Sequence, residues 1–403
     1  MAELFMIILA IETSCDETSA AVIDGDRVIS SVVWSQIKYH RKWGGVVPSI
    51  ARRAHEERLP VVVANALART GIHLSHGTHV TNGPHVAIEA IAVTIGPGLA
   101  PALEVGIAYA KKLAIKNNLP LIPVNHLEGH IASALSLQHG PHETHVTHES
   151  HALSLVVSGG HTELVRSTRI PNTECRMGHS EFSIQNSVFR HVLLGQTLDD
   201  AAGECIDKVG RELGLGYPAG PVVEKLAREA SKGLNLYARL DLNKFPIPME
   251  RSPRQNLNFS FSGLKTAAVQ ILNQTHDIKR ASQRQVKQLS KQQMCDFCAA
   301  FQKAVIDALL LKLKRAMKIT GIKTVFLSGG VAANNQLRRR AGILVRSLDG
   351  QFLATPKKFT GDNAAMIGLA AQWAAGRGEI KITAEEISQV DRIPNLNFSP
   401  LIK

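Results

Sequence analysis

Three times along this 403-residue chain an apolar strand runs straight into a turn of small or hydroxyl-bearing residues, and that repetition restricts the fold more than any other feature. In the first, residues 7–11 lead into Glu12-Thr13-Ser14-Cys15-Asp16-Glu17-Thr18, then a second strand over 19–23 and a turn at Asp24-Gly25. In the second, residues 152–157 lead into Ser158-Gly159-Gly160-His161-Thr162, followed by a strand over 163–166. In the third, residues 324–327 lead into Ser328-Gly329-Gly330-Val331-Ala332-Ala333-Asn334, and a helix opens at 335–344. The first two read as hairpins whose tight turns present backbone N–H groups to a phosphate or carboxylate, with glycine permitting close approach. The third, a strand, Gly-Gly turn and helix start, is an anion or nucleotide shelf. The same device in both halves predicts a duplicated α/β architecture with ligand held between lobes.

Between these segments a strand over 90–93 and the turn Thr94-Ile95-Gly96-Pro97-Gly98-Leu99 precede a helix over 102–117. A strand over 119–124 then delivers Asn125-His126-Leu127-Glu128-Gly129-His130. Two imidazoles four residues apart share one helical face and can share one metal ion. The spacing is close to the zinc-protease pattern H-E-x-x-H, in which the glutamate follows the first histidine. Here the carboxylate is Glu128, two residues on, and a step of two turns about 200° around a helix, away from the metal face. A general base must reach the metal-bound water, so this spacing argues against a protease. Further on, Thr360-Gly361-Asp362-Asn363 caps a helix over 364–375 and sets Asp362 at its N-terminal end. Residues 214–221 read as a loop before a helix over 222–232, and 283–317 as strongly helical.

Lysine and arginine number 46 against 34 acids, a formal charge of +12 and a pI near 9.6. That excess implies an acidic partner, with nucleic acid the first candidate. Five cysteines, odd in number and scattered, suit a reducing compartment. Cys295 and Cys298 form a C-x-x-C without a second pair, which predicts burial in a helix rather than zinc. No apolar run reaches the length of a membrane span. Residues 1–10 lack both a basic lead-in and a cleavage site, and flow into the first strand, so they read as core in a cytoplasmic protein. Two histidine-rich stretches, 72–87 and 138–151, read as inserted, exposed loops unrelated to His126 and His130.

Taken together, the chain resembles the tRNA N6-adenosine threonylcarbamoyltransferase family, formerly called O-sialoglycoprotein endopeptidase. The matching pieces are Glu12 to Thr18, Gly44-Gly45-Val46-Val47-Pro48 with Arg52 to Glu57, Gly96-Pro97-Gly98-Leu99, and His126-Leu127-Glu128-Gly129-His130. Then come Val157 to Thr162, Asp199-Asp200-Ala201-Ala202-Gly203-Glu204, Ser260-Phe261-Ser262-Gly263-Leu264-Lys265, Ser328 to Asn334, and Asp362-Asn363. They fall in family order over nearly the whole chain.

The resemblance implies the two-lobed α/β fold shared by actin-like ATPases, sugar kinases and chaperone ATPases (ASKHA), with duplicated mixed sheets. The expected division is an N-terminal lobe over 1–128, completed by a helical segment over 372–403, and a C-terminal lobe over 129–371. The implied reaction passes a threonylcarbamoyl group from threonylcarbamoyl-AMP to the exocyclic amine of the adenosine beside the anticodon, in tRNAs reading codons that start with A. Carried over by position, His126, His130 and Asp362 are the metal ligands. One divalent metal per subunit is expected, Fe2+ foremost and Zn2+ as the alternative. Val156 stands where archaeal and eukaryotic relatives have a further tyrosine ligand, which marks the bacterial or organellar type. Substrate binding maps to Val156, Val157, Ser158, Gly159, Gly160, Asp207, Gly220 and Asn334, with Asp207 accepting ribose hydroxyls and Gly160 and Gly330 admitting the nucleotide. Asp16 and Glu17 are the candidates for proton removal or amine positioning. The family's Tyr-Pro-Gly-Gly-Pro reads Tyr217-Pro218-Ala219-Gly220-Pro221 here. If that position needs positive φ, the alanine costs about 1 kcal/mol. The implied partners are tRNA, a separate synthase that supplies threonylcarbamoyl-AMP, and either a non-catalytic paralogous subunit with a small ATPase or a second copy. The rival readings are an ATPase or kinase of the same fold and, more remotely, a metalloprotease.

Overall fold

The computed structural model describes residues 6–72, 74, 87–136, 151–170, 188–230, 245–275 and 289–398. The histidine-rich positions 73, 75–86 and 138–150, Cys175, and the starts or ends expected for helices at 231–232 and 283–288 lie outside the described residues. Ordered elements begin with β1 (Ile7–Glu12), β2 (Glu17–Asp24), β3 (Arg27–Ser35), α1 (Ile37–His40), α2 (Pro48–Ala68) and β4 (Ala90–Gly96). Next come α3 (Ala100–Asn117), β5 (Leu121–Asn125), α4 (His126–Ser136), β6 (His151–Val157), β7 (Thr162–Ile170) and β8 (Val188–Gln196). Then follow α5 (Ala202–Glu212), α6 (Gly220–Arg228), α7 (Ser262–Thr275), α8 (Lys291–Thr320), β9 (Thr324–Ser328) and α9 (Asn335–Arg346). The last are β10 (Gln351–Ala354), α10 (Ala364–Gly376) and α11 (Ala384–Gln389).

Two five-stranded sheets result, ordered β3-β2-β1-β4-β5 and β10-β9-β6-β7-β8. In the first, β1, β2 and β3 are antiparallel neighbours while β1, β4 and β5 run parallel. In the second, β6 and β9 run parallel, with Val156 beside Ser328. Both sheets are mixed and each is built on a hairpin, which is the duplicated ASKHA architecture that the resemblance implies.

Strand periodicity explains why the first sheet is covered on both faces. Leu9, Ile11, Ala20 and Val22 join one core with Leu59, Val62 and Val63 of α2 and Leu103 and Ile107 of α3. The alternate residues face α10: a Cβ added at Gly368 would stand 2.3 Å from Ile23 and 3.2 Å from Ala10. Glycine is required there because the helix backbone lies directly on the sheet. The family turn Gly96–Leu99 packs on the first hairpin turn in the same manner. Leu99 N–H donates to the Ser14 carbonyl at 2.8 Å, and a Cβ at Gly98 would meet that oxygen at 2.7 Å.

The chain divides into two compact units, one of residues 1–152, 166–192 and 353–403, the other of 153–165 and 193–352. These ranges differ from the division expected at 128 and 372. The physical reason is α4: a boundary at 128 would cut a helix between its two histidines, whereas the whole helix packs on α10 within the first unit. Among the described residues no helix is long and apolar enough to cross a membrane.

Candidate metal centre and nucleotide-binding turns

Strand β5 ends at Asn125, whose side-chain oxygen accepts from Leu127 N–H at 2.8 Å and starts α4. His126 and His130 therefore occupy the first two turns on one face, with ring centroids 4.8 Å apart. Asp362 immediately precedes Asn363, which caps α10 by accepting from Met366 N–H at 3.1 Å. Gly129 lets the two helices close: a Cβ there would lie 2.9 Å from Ile367 and 3.1 Å from Met366. That contact brings Asp362 Oδ1 to 3.5 Å from His126 Nε2 and 3.3 Å from His130 Nε2. One ligand atom from each of the three side chains lies within 4.8 Å of the others.

Two observations fit this set to a divalent cation. His130 is fully buried, and neither ring nitrogen makes a hydrogen bond, a costly state for an imidazole unless a ligand takes its lone pair. His126 is oriented from behind: its Nδ1 lies 3.1 Å from Glu12 Oε2 and 3.1 Å from Ser14 Oγ. A carboxylate on Nδ1 fixes the tautomer and turns Nε2 toward Asp362, the arrangement found behind metal-binding histidines. Glu12 is itself fully buried and held by Thr94 Oγ1 at 2.6 Å and by the Ser14 N–H. Two imidazoles and a carboxylate suit iron or zinc, and leave further positions for substrate or water.

The electrostatics point the same way. Burial opposes a charged imidazole at His126, yet Asp362 and Glu12 overcome it and push its pKa up to about 10. Without a metal, a proton on His126 takes the place of a cation between two carboxylates. Burial holds His130 below the ordinary histidine value, so it offers a neutral lone pair. Asp362 stays well below the usual carboxylate range: burial opposes this, but both histidines lower it.

Glu128 points elsewhere, as its spacing requires. It accepts from Arg377 at 2.6 and 3.0 Å and lies 3.3 Å from His191 Nε2. It is a buried structural anion with no line to the three metal-type ligands.

Asp16 and Glu17 lie at the β1–β2 turn. The Asp16 carbonyl accepts from Gln36 N–H at 2.9 Å, and Glu17 Oε1 accepts from Ser35 Oγ at 3.3 Å. Burial first, then the Asp16 and Asp362 charges, raise Glu17 well above the usual carboxylate range.

The residues expected to bind nucleotide all lie in the second unit. Val156 and Val157 are buried at the end of β6, and Ser158 closes the hairpin by donating its N–H to the His161 carbonyl at 2.8 Å. Gly159, Gly160, Gly220 and Gly330 each have open space where a side chain would project, which leaves their backbones approachable. Gly329 is the turn glycine that the conformation demands: its φ is +91°, and a Cβ would stand 2.3 Å from the Val157 carbonyl oxygen. One oxygen of Asp207 accepts from Ala219 N–H at 2.7 Å. Asn334 caps α9 through Leu337 N–H and donates to Gln302 Oε1 at 2.7 Å. Ala219 corrects the expectation of a strained turn: its φ is −85°, an ordinary helical value, so alanine carries no backbone penalty.

Cys295 and Cys298 are buried in α8, as the lone C-x-x-C implied. Burial pushes Cys298 up to about 12, and no zinc ligands join it among the described residues. Sequence reasoning missed Glu12 as the partner of His126. The available signal was a carboxylate closing an apolar strand, a position where an unpaired charge is too costly to keep.

The family model for tRNA N6-adenosine threonylcarbamoyltransferase matches residues 27–174 and 177–369. A tRNA N6-adenosine threonylcarbamoyltransferase of Thermosipho melanesiensis is 41% identical over 394 residues, 98% of this chain and 100% of that one. Those of Thermosipho africanus and Geobacter sulfurreducens are 38% and 40% identical, over 98% and 93% of this chain and 100% and 93% of theirs. Near-complete matches to a transferase family, over the segments that carry the histidine pair, the capped aspartate and the glycine turns, settle the assignment: the chain belongs to the tRNA N6-adenosine threonylcarbamoyltransferase family.

Proposed function

We propose that this transferase moves the threonylcarbamoyl group of threonylcarbamoyl-AMP onto N6 of the adenosine beside the anticodon, in tRNAs that read codons starting with A. The observation that carries the reading is the His126, His130 and Asp362 cluster, oriented by Glu12, in a chain of this family. The names of the relatives support the tRNA substrate, and the formal charge of +12 suits it.

The adenine amine is a weak nucleophile, so the carbonyl it attacks must be polarised and the leaving phosphate neutralised. His126, His130 and Asp362 would hold a divalent ion, Fe2+ or Zn2+, which when bound would supply Lewis acidity toward substrate oxygens. Glu12 keeps His126 turned toward Asp362, and the α4–α10 contact at Gly129 keeps the three ligands together. As N6 bonds to the carbonyl carbon, the bond from that carbon to the phosphate oxygen breaks and AMP departs. The open backbones at Gly159, Gly160 and Gly330 are suited to the phosphate charge, and Asp207 to a ribose hydroxyl. The proton lost by N6 needs an acceptor. Asp16 and Glu17, side by side at the β1–β2 turn, are the two candidates for it, with burial and then the Asp16 and Asp362 charges raising Glu17 above the usual carboxylate range.

The partners assigned are tRNA, the synthase that makes the intermediate, and either a paralogous subunit with a small ATPase or a second copy of this chain. The scattered free cysteines favour a cytoplasmic setting. The test supplies purified, tag-free protein with labelled threonine, ATP, bicarbonate, a synthase and unmodified tRNA, with and without the bacterial partner proteins. Label should appear on tRNA with wild type and vanish with His126→Ala and Asp362→Ala. ATP hydrolysis without label under every condition would replace this reading with an ATPase.

A further inference from the structure

Between Asp26 and Glu56 the chain has no acidic residue, yet it carries Arg27, Lys38, Arg41, Lys42, Arg52 and Arg53. These six cations equal half of the formal excess of +12, and of them Arg52 pairs with Glu56 and Glu104. The middle of the run folds as α1 followed by a 3-10 turn over Arg41–Trp43. Its two faces differ sharply. Gln36 and His40 are fully buried, while Lys38, Tyr39, Arg41, Lys42 and Trp43 are exposed, Trp43 at 57% and Tyr39 at 47%. The aromatic rings are interleaved with cations: Lys42 Nζ lies 5.2 Å from the Trp43 ring centre, Tyr39 leans on Trp34 at 5.7 Å, and Arg58 covers Trp34 at 5.1 Å.

The exposed face sits on a rigid buried base. His40 Nδ1 accepts from Val47 N–H at 3.2 Å, which directs its Nε2–H to Gln36 Oε1 at 3.1 Å. The Gln36 amide nitrogen lies 3.2 Å from His55 Nε2, and that nitrogen donates to the Cys15 carbonyl at 3.0 Å. His55 Nδ1 accepts from Thr18 Oγ1 at 2.8 Å. Gln36 N–H also holds the Asp16 carbonyl. A single buried polar chain thus ties the outward turn to the backbone that carries Asp16.

We propose that the turn over residues 38–43 is an RNA-contact surface, where an unpaired tRNA base stacks on Trp43 and flanking phosphates meet Lys38, Arg41 and Lys42. The proposal rests on the tRNA reading above. An exposed indole is a sequence-tolerant stacking platform, and neighbouring cations without carboxylates make the groove a polyanion tracks. A protein partner fits less well, since lysine is depleted at the centre of protein interfaces. Through Gln36, a base docked here is registered against the turn that holds Asp16.

The test is fluorescence anisotropy of a labelled, unmodified anticodon stem-loop RNA against the full chain at several salt concentrations. Trp43→Ala should weaken binding roughly 5- to 100-fold, and Trp43→Phe should retain most of it. Lys42→Ala should weaken binding and flatten the salt dependence by about 0.7 to 0.9 in the log–log slope. Lys318→Ala, an exposed cation on α8, should leave both unchanged. Melting temperatures should match throughout, because every altered side chain is on the surface. Wild-type affinity in Trp43→Ala and Lys42→Ala, with transfer intact, overturns the RNA surface and leaves the function standing. Unchanged RNA affinity with loss of self-association or of a partner subunit makes the turn a protein interface instead, and overturns it equally. A wild-type protein that binds no RNA overturns both readings.

Discussion

Arg377 grips Glu128 with two parallel N–H···O bonds, 2.6 Å to Oε1 and 3.0 Å to Oε2, from the C-terminal end of α10. The same helix begins beside Asp362, so both ends of α10 reach the first turns of α4, one through Asp362 to His126 and His130 and the other through this ion pair. Despite full burial, Glu128 lies below the usual carboxylate range because His191 and Arg377 stabilise its charge. Removing one partner strands the other. Glu128→Ala should lower stability by about 3–5 kcal/mol in urea titration, the scale for breaking a buried pair. Peptide hydrolysis should be absent from wild type and variant alike; hydrolysis that depended on Glu128 would restore the protease reading.

Glu12 acts on His126 without entering the set of metal-type ligands. Glu12→Gln keeps the shape but replaces the carboxylate that accepts from Nδ1 at 3.1 Å. Apparent affinity for Zn2+ or Fe2+, measured against a chromophoric chelator, should fall about 10- to 100-fold. An unchanged affinity would mean that Ser14 Oγ, also 3.1 Å from Nδ1, suffices to orient the ring.

Glu163 of β7 gives the clearest pH signature. It is 3% exposed, its Oε2 has no hydrogen-bond partner, and burial pushes its pKa up to about 7 from 4.5. A carboxyl whose folded pKa exceeds its unfolded one contributes its full stability below pH 4.5 and loses it as pH rises through 7. The shift corresponds to about 3 kcal/mol. Glu163→Gln should therefore remove a decline in stability between pH 4.5 and 7 and leave the variant more stable than wild type at pH 8. Parallel denaturation curves across that range would show instead that Glu163 ionises freely.

Local patterns in the chain were enough to place seven of the ten described strands (β3, β8 and β10 were missed), the histidine face, Asp362 beside a helix start and the buried cysteine pair, because each depends on residues a few positions apart. What stayed hidden depends on contacts between distant residues. Glu12 meets His126 across 114 positions and Arg377 meets Glu128 across 249, separations at which composition and periodicity carry no information. The compact units also differ from the expected lobes. The return of the chain at residue 353 is set by how α10 packs beneath the first sheet, which no helix pattern reveals.

Ala219 shows how a break in a family pattern can be misread until its neighbour is seen. A Cβ added at Gly210 would stand 2.1 Å from the Ala219 Cβ. Ala219 is fully buried at φ −85°, so its methyl fills the space that glycine at 210 leaves free. Ala219→Gly brings back the family residue but removes that methyl and frees the loop, at a cost of about 1 kcal/mol. It should loosen AMP binding, since Ala219 N–H is held by Asp207 at 2.7 Å. Gly210→Ala alone should cost more, because two methyl carbons cannot share 2.1 Å. The double variant should recover much of both losses, and a double-mutant cycle on urea stability should show positive coupling. Strict additivity would mean that the two positions pack independently and that the alanine at 219 is a neutral substitution.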